Sequence, residues 1–326
     1  MGQIVDAVHE NGSYVFLQLA AVGRAADPDV LQREGGHPLV APSPIPLTPA
    51  SQNDASSSSS SSSLTPPSPP PPVPHALTVE EIGEYVRLFA TAAENAVLRA
   101  GFDGVEIHGA NGYLVDQFVQ SNANSRTDAY GGSVRNRARF VLEVVGAIAE
   151  AVGADRVGIR LSPWSTFQGE CVSTCRERGP PLLFRLGLKE KDDSNVVVLN
   201  LVDMRMPDPI PTFTEVVTRI RDDHPGFAYV HVLEPTAHHR PAGESAAENV
   251  EDSNKFLRDI WGDRPYIANY DFGRDNAIEM AEKEGGLVSF GRHFISNVSK
   301  TTPGLILLSR TNVFSISTDS LISHFV

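Results

Sequence analysis

The densest run of chemically capable side chains is His108-Gly109-Ala110-Asn111-Gly112-Tyr113, followed by Asp116, Gln117 and Phe118. An imidazole and a carboxamide three residues apart offer two N–H donors to one carbonyl oxygen. The intervening glycines allow a tight turn that aims the Tyr113 phenol back over the same space. Two donors on a conjugated carbonyl draw electron density from the alkene, so hydride adds at Cβ and a phenol delivers a proton to Cα. The pattern also suits a plainer reading: a helix N-terminus with a buried histidine and ordinary loop glycines.

Six short runs rich in β-branched or aromatic residues must position these groups: Tyr14–Leu19, Gly104–His108, Val157–Ser162, Phe227–Leu233, Pro265–Asn269 and Leu287–Gly291. Each reads as a buried parallel strand. Helical patterns separate them. Thr78 stands as an N-cap three residues before Glu81, and Asn136–Val152, Thr214–Asp222, Ala247–Ile260 and Asp275–Glu284 supply further helices. This alternation predicts an α/β fold, either a (β/α) barrel or a doubly wound sheet. In a barrel the C-terminal strand ends carry the site, which is where the His108 turn falls. A closed eight-stranded barrel needs two strands more than these six.

The chain has 326 residues, 41% of them hydrophobic, enough to bury a sizeable core. A net charge of -13, from 27 basic and 40 acidic residues, argues against nucleic acid as a partner. The two cysteines, Cys171 and Cys175, form neither a disulfide framework nor a metal site, and His238-His239 reads as a solvated loop. No export signal is read at Met1–Asp6, and no apolar run approaches a membrane span, so the expectation is a cytoplasmic protein. No G-x-G-x-x-G follows a strand, which argues against a Rossmann domain.

Three segments fall outside the alternation. Residues 50–74 form a Ser/Pro-rich excursion that cannot bury a core, 170–202 an irregular insertion, and 298–326 a Ser/Thr-rich tail. The last two begin near Val-Ser dipeptides (Val172-Ser173 and Val298-Ser299), which a common intron start would encode. The expectation is a partial barrel over 1–297, interrupted twice, truncated at its N-terminus and carrying translated intron.

The run from His108 to Phe118 continues through Asn124-Ser125-Arg126-Thr127-Asp128, Tyr130-Gly131-Gly132-Ser133 and Asn136-Arg137-Ala138-Arg139-Phe140. This string resembles the old yellow enzyme family of FMN-dependent ene-reductases, as do Phe16-Leu17-Gln18-Leu19, Gly158–Pro163 and Phe290–Asn297. Gly23-Arg24-Ala25-Ala26-Asp27-Pro28 is similar to fungal members, including those of ergot-alkaloid pathways.

The resemblance implies a (β/α)8 TIM-type barrel, here with six recognisable strands of eight, that uses NAD(P)H as a transient reductant to reduce an enone or enal. By that resemblance His108 and Asn111 hold the substrate carbonyl, Tyr113 protonates Cα, and Phe167 lines the pocket. Gln18 matches a residue at the flavin pyrimidine edge, Arg160 one beside flavin N1, and Gly291 and Arg292 the FMN phosphate contact. Read alone, Gln18 and Arg160 equally suit interior polar residues paired with each other. Ala20 stands where relatives carry Trp, which should widen the pocket, and Tyr270-Asp271 where they carry a Gly pair. The rival expectation is a non-catalytic barrel fragment that cannot retain FMN.

Overall fold

The computed structural model describes residues 2–47, 70–165, 204, 206–235, 253–269 and 272–291. In chain order the elements are α1 (Gly2–Glu10), β1 (Phe16–Leu19), α2 (Pro28–Arg33), β2 (Val40–Ala41), β3 (His75–Ala76), α3 (Val79–Glu94), β4 (Gly104–Gly109), α4 (Leu114–Val119) and α5 (Val134–Val152). There follow β5 (Val157–Leu161), α6 (Ile210–Asp223), β6 (Tyr229–Leu233), α7 (Lys255–Trp261), β7 (Tyr266–Asn269), α8 (Arg274–Glu284) and β8 (Leu287–Ser289). No described helix is long and apolar enough to cross a membrane.

The six expected strands form one parallel sheet in the order β1-β4-β5-β6-β7-β8, and β2 pairs with β3 beside it. Register places Gln18 beside Glu106, His108 beside Arg160, Arg160 beside His231, and Asn269 beside Ser289. Successive side chains of a strand face opposite ways, so these polar residues share one face. The other face carries Val105, Ile107, Ile159, Leu161, Val230 and Val232, each fully buried. Helices cover that aliphatic face, α3 and α6 each packing on α5, with Phe140, Val141, Val144 and Ile148 of α5 in the core. Apolar outside and polar inside is the cross-section of a (β/α)8-type barrel, of which the described residues supply six strands.

Local signals set the helix ends. Thr78 Oγ1 accepts from the Glu81 N–H at 3.2 Å and the Glu81 carboxylate accepts from the Thr78 N–H at 2.7 Å, the reciprocal cap expected from their spacing. Two helices escaped the sequence pattern. In α1 Val5 is buried and Val8 packs against the core, while His9 is tied to Asp103 at 3.0 Å. In α2 Asp27 caps the Asp29 N–H at 2.8 Å ahead of a proline at the first turn.

One helix begins later than expected: α7 starts at Lys255, not Ala247. Asn254 is the reason, because its amide donates to the Leu233 carbonyl and accepts from the Trp164 indole, both at 3.0 Å. It therefore sits outside the helix, and 247–252 lie outside the described residues.

Under the site, Phe118 of α4 stacks on Phe140 with centroids 4.3 Å apart, and its side chain is fully buried. Phe118→Ala should destabilise the chain by about 3–5 kcal/mol, read by urea unfolding. A loss under ~1 kcal/mol would show that this layer does not hold α4 in place.

Candidate active site

Four residues join β4 to α4, and the turn needs two consecutive left-handed positions: Asn111 at φ 57° and Gly112 at φ 74°. Asparagine tolerates this backbone better than other side-chain-bearing residues, and glycine adopts it without strain. Side chains from neighbouring elements pin it. The Asn111 N–H donates to Ser162 Oγ at 2.8 Å, the Gly112 N–H to Asp116 Oδ2 at 2.9 Å, and Gln117 Nε2 to the Gly112 carbonyl at 2.7 Å. The reversal leaves Tyr113 capping α4, its ring 4.7 Å from the His108 imidazole at 55°.

His108 is buried, and its Nδ1 accepts the Ala110 N–H at 3.3 Å. The ring proton therefore sits on Nε2, a buried atom with no hydrogen-bond partner. Burial, reinforced by the Arg160 charge, holds the imidazole down to about 3, so it is neutral near pH 7 and donates through Nε2. Asn111 Oδ1 is likewise buried without a partner.

Deeper in the barrel, Gln18 and Arg160 are not paired with each other as the sequence alone allowed. A relay joins them instead. Gln18 Nε2 donates to Glu106 Oε1 at 2.6 Å, and Glu106 Oε2 meets His231 Nδ1 at 2.9 Å. His231 Nε2 meets Ser289 Oγ at 3.1 Å, Asn269 Nδ2 donates to Ser289 Oγ at 2.7 Å, and Arg160 Nη2 donates to Asn269 Oδ1 at 2.9 Å.

Burial alone would push the Glu106 carboxyl up, but His231 and Arg160, with the Gln18 hydrogen bond, hold it down to about 2. It is a carboxylate that only accepts. Tyr229, against it, is pushed well above the usual phenol value, first by burial and then by the Glu106 charge. Glu106, His231, Asn269 and Ser289 were not among the residues expected here. Glu106 carries a signal in the sequence, a second polar residue two positions on at His108, whereas His231, Asn269 and Ser289 each stand alone among apolar or aromatic residues of their strands.

Asp116 supports the turn from below. It is fully buried, and burial pushes its carboxyl up to about 7 against hydrogen bonds from Gly112, Gln120 and Ser162 and the charge of Arg24. A raised acid contributes stability that is full below its unfolded value of 3.8 and is lost as pH rises through 7. His108 acts in the opposite sense, its contribution being lost as pH falls from 6.5 toward 3. Asp116→Asn removes only the first effect. Relative to the parent chain, the variant should gain about 2 kcal/mol between pH 5.5 and 7 in urea unfolding, at ~1.4 kcal/mol per pH unit. A constant difference across that range would mean that Asp116 is already ionised.

The structure brings His108, Asn111 and Tyr113 to one end of the sheet, and Gln18 and Arg160 onto its inner face. Gly291 follows β8, where an added Cβ would meet nothing within 4 Å, so no steric demand fixes glycine there. Ala20 is exposed just past β1. Phe167, Arg292 and Tyr270-Asp271 lie outside the described residues.

The sequence model of the NADH:flavin oxidoreductase / NADH oxidase family, whose cofactor is FMN, matches residues 1–209. The chain belongs to this family. It is 41% identical over 299 residues to chanoclavine-I aldehyde reductase fgaOx3 of Penicillium roqueforti, a match covering 90% of this chain and 64% of that protein. It is 36% identical over 302 residues to easA of Claviceps fusiformis, named as a probable inactive dehydrogenase, with the same two coverages. Among solved structures, the old yellow enzyme from Pichia sp. AKU4542 superposes with a TM-score of 0.66 at 30% identity, covering 97% of this chain and 69% of that one. The chain thus spans about two thirds of the length of these relatives.

The inner face of this family member fits a ring with a hydrogen-bonding edge. Among the described residues, the buried polar atoms left without a partner include Gln18 Oε1, His108 Nε2 and Asn111 Oδ1, all at this face or its rim. Such atoms are costly unless a ligand or water completes them.

Proposed function

We propose that the chain catalyses FMN-dependent reduction of the C=C bond of α,β-unsaturated carbonyl compounds with NAD(P)H as reductant. The observation that carries this reading is the partnerless, buried Nε2–H of His108, with the Tyr113 ring 4.7 Å away. Gln18 and Arg160 would hold the flavin ring from the inner face, with Gly291 and Arg292 toward its phosphate. FMN, when bound, supplies the hydride taken from NAD(P)H and delivered to Cβ.

The chain's own residues do the rest. His108 donates Nε2–H to the substrate carbonyl oxygen, and Asn111 donates through its amide to the same atom, so negative charge gathering there meets two fixed dipoles. A neutral imidazole suits this task, because it is a directed donor that keeps its proton. Tyr113 delivers its phenolic proton to Cα and draws a replacement from solvent at the mouth, where it is half-buried. Phe167 would line the substrate side. The 41% identity to a chanoclavine-I aldehyde reductase supports an enal among the substrates, and the small Ala20 favours a bulky one.

A second reading has its own support. In the described sheet β1 and β8 each pair with one neighbour only, and several relatives are named as inactive. That reading is a barrel fragment that keeps the site residues but does not retain FMN. Colour decides between them. Purified full chain should be yellow, or turn so with added FMN, and should bleach on anaerobic addition of NADPH. A folded, colourless chain that leaves FMN fluorescence unchanged would overturn the catalytic reading.

A further inference from the structure

The Gln18 side-chain amide could face the ring site with either its oxygen or its nitrogen. Glu106 removes the choice. Being ionised, it can only accept, so Gln18 must offer its nitrogen at 2.6 Å, and the carboxamide oxygen at the other end of the planar head is left buried without a partner.

Glu106 is itself held by His231. Whether that imidazole is neutral or protonated, its Nδ1 faces a carboxylate at 2.9 Å and must carry a proton, while Nε2 is met by Ser289. A neutral His231 accepts the Ser289 O–H, and a protonated one donates to it. Asn269 donates to Ser289 in either case and Arg160 donates to Asn269, while Glu106 accepts from His231 on one side and from Gln18 on the other.

We propose that Glu106, backed by His231, is a positioning residue that sets the polarity of the ring site: it turns the Gln18 carbonyl inward, so that the site accepts a ring edge donating an N–H. The inference rests on the flavin reading above, since the pyrimidine edge of an isoalloxazine carries a single N–H between two carbonyls.

Glu106→Gln is close to isosteric and reverses the logic. His231 Nδ1–H still needs an acceptor and takes the new amide oxygen. The new NH2 then faces Gln18, whose amide must turn to accept it and so presents N–H to the ring N–H. The alternative requires His231 to change tautomer and Ser289 to redirect its proton to the Ala268 carbonyl at 3.4 Å, a longer contact than the one it gives up. The swap Gln18→Glu with Glu106→Gln repairs the pattern. A carboxylate at 18 accepts from the amide at 106 and keeps an acceptor oxygen for the ring, with the net charge unchanged.

The experiment is FMN titration of the full chain by quenching of flavin fluorescence, on the parent, both single variants and the swap, each checked for fold by circular dichroism. Glu106→Gln should weaken FMN binding by about tenfold or more, Gln18→Glu similarly, and the swap should recover to within about threefold of the parent. A purely electrostatic role for Glu106 predicts the opposite sign, because removing a negative charge favours the anionic cofactor. Glu106→Gln binding as tightly as the parent, or a swap no better than Glu106→Gln, overturns the proposal while leaving the flavin reading intact. If Glu106→Gln does not fold, comparing Gln18→Glu with the swap decides the question instead: a swap that binds FMN no better than Gln18→Glu overturns the proposal. A parent chain that takes up no FMN removes the flavin reading itself and this inference with it.

Discussion

Tyr113→Phe is expected to separate the two halves of the catalytic cycle: reduction of bound flavin by NADPH stays within about twofold of the parent, while alkene reduction slows by about 10²–10⁴-fold. The substitution removes one oxygen and keeps the ring that packs against His108 at 4.7 Å, so the carbonyl-binding geometry survives. Only the proton to Cα is lost, and hydride transfer has no need of it during flavin reduction. Stopped-flow absorbance of each half-reaction makes the comparison. Equal losses in both would mean that Tyr113 shapes the flavin environment instead. An unchanged alkene rate would place the proton donor elsewhere.

The second large effect concerns the interior. His231→Leu leaves the buried Glu106 carboxylate with the Gln18 amide at 2.6 Å but without the imidazole donor at 2.9 Å, and should destabilise the chain by about 3–5 kcal/mol. His231→Asn places an amide donor near the lost Nδ1 and should recover part of that loss, which a simple packing role would not predict. The pH dependence follows from Glu106. Held down to about 2 from its ordinary 4.5, it contributes stability that is full above 4.5 and is lost as pH falls toward 2. In His231→Leu the folded value moves back up, so that acid-side loss should shrink. Urea unfolding of both variants at pH 4 and pH 7 measures the size and the slope together.

These two predictions draw on residues of different legibility. Tyr113 could be read directly, because its chemistry belongs to a contiguous turn: imidazole, carboxamide and phenol fall within six residues, and local backbone geometry alone brings them together. His231 could not. It lies 125 residues from Glu106 in the chain, and only the parallel register carries them onto one face of the sheet. The same holds for Ser289 and Asn269, which look like ordinary strand-end residues until β7 and β8 are laid beside β6. The direct pairing of Gln18 with Arg160 that the sequence allowed fails for this reason: β4 stands between their strands, and its Glu106 takes the amide first.

The fold divides similarly. The six strands were visible because each is a short apolar run between turn signals, and the helices α3 and α5 through their apolar period, with the Thr78–Glu81 cap marking the start of α3; α5 begins at Val134 under a Ser133 cap, two residues before the expected Asn136. α1 was not visible: Ile4, Val5 and Val8 stand at helical spacing, but nine residues are too short a window to set a period. The start of α7 was misplaced because Asn254 reads as helix-compatible until its amide is found bonded to β6 and Trp164.

By itself, then, the sequence determined the strand-helix alternation, the turn at 108–113 and the membership of a flavin oxidoreductase family, all of them properties of contiguous residues. Tertiary structure alone decided which way the Gln18 amide points, why a carboxylate at 106 stays charged in the interior, and why the Asp116 carboxyl is pushed up instead. Ionisation and amide orientation depend on charges and donors within a few ångströms in space, and those neighbours come from strands far apart in the chain.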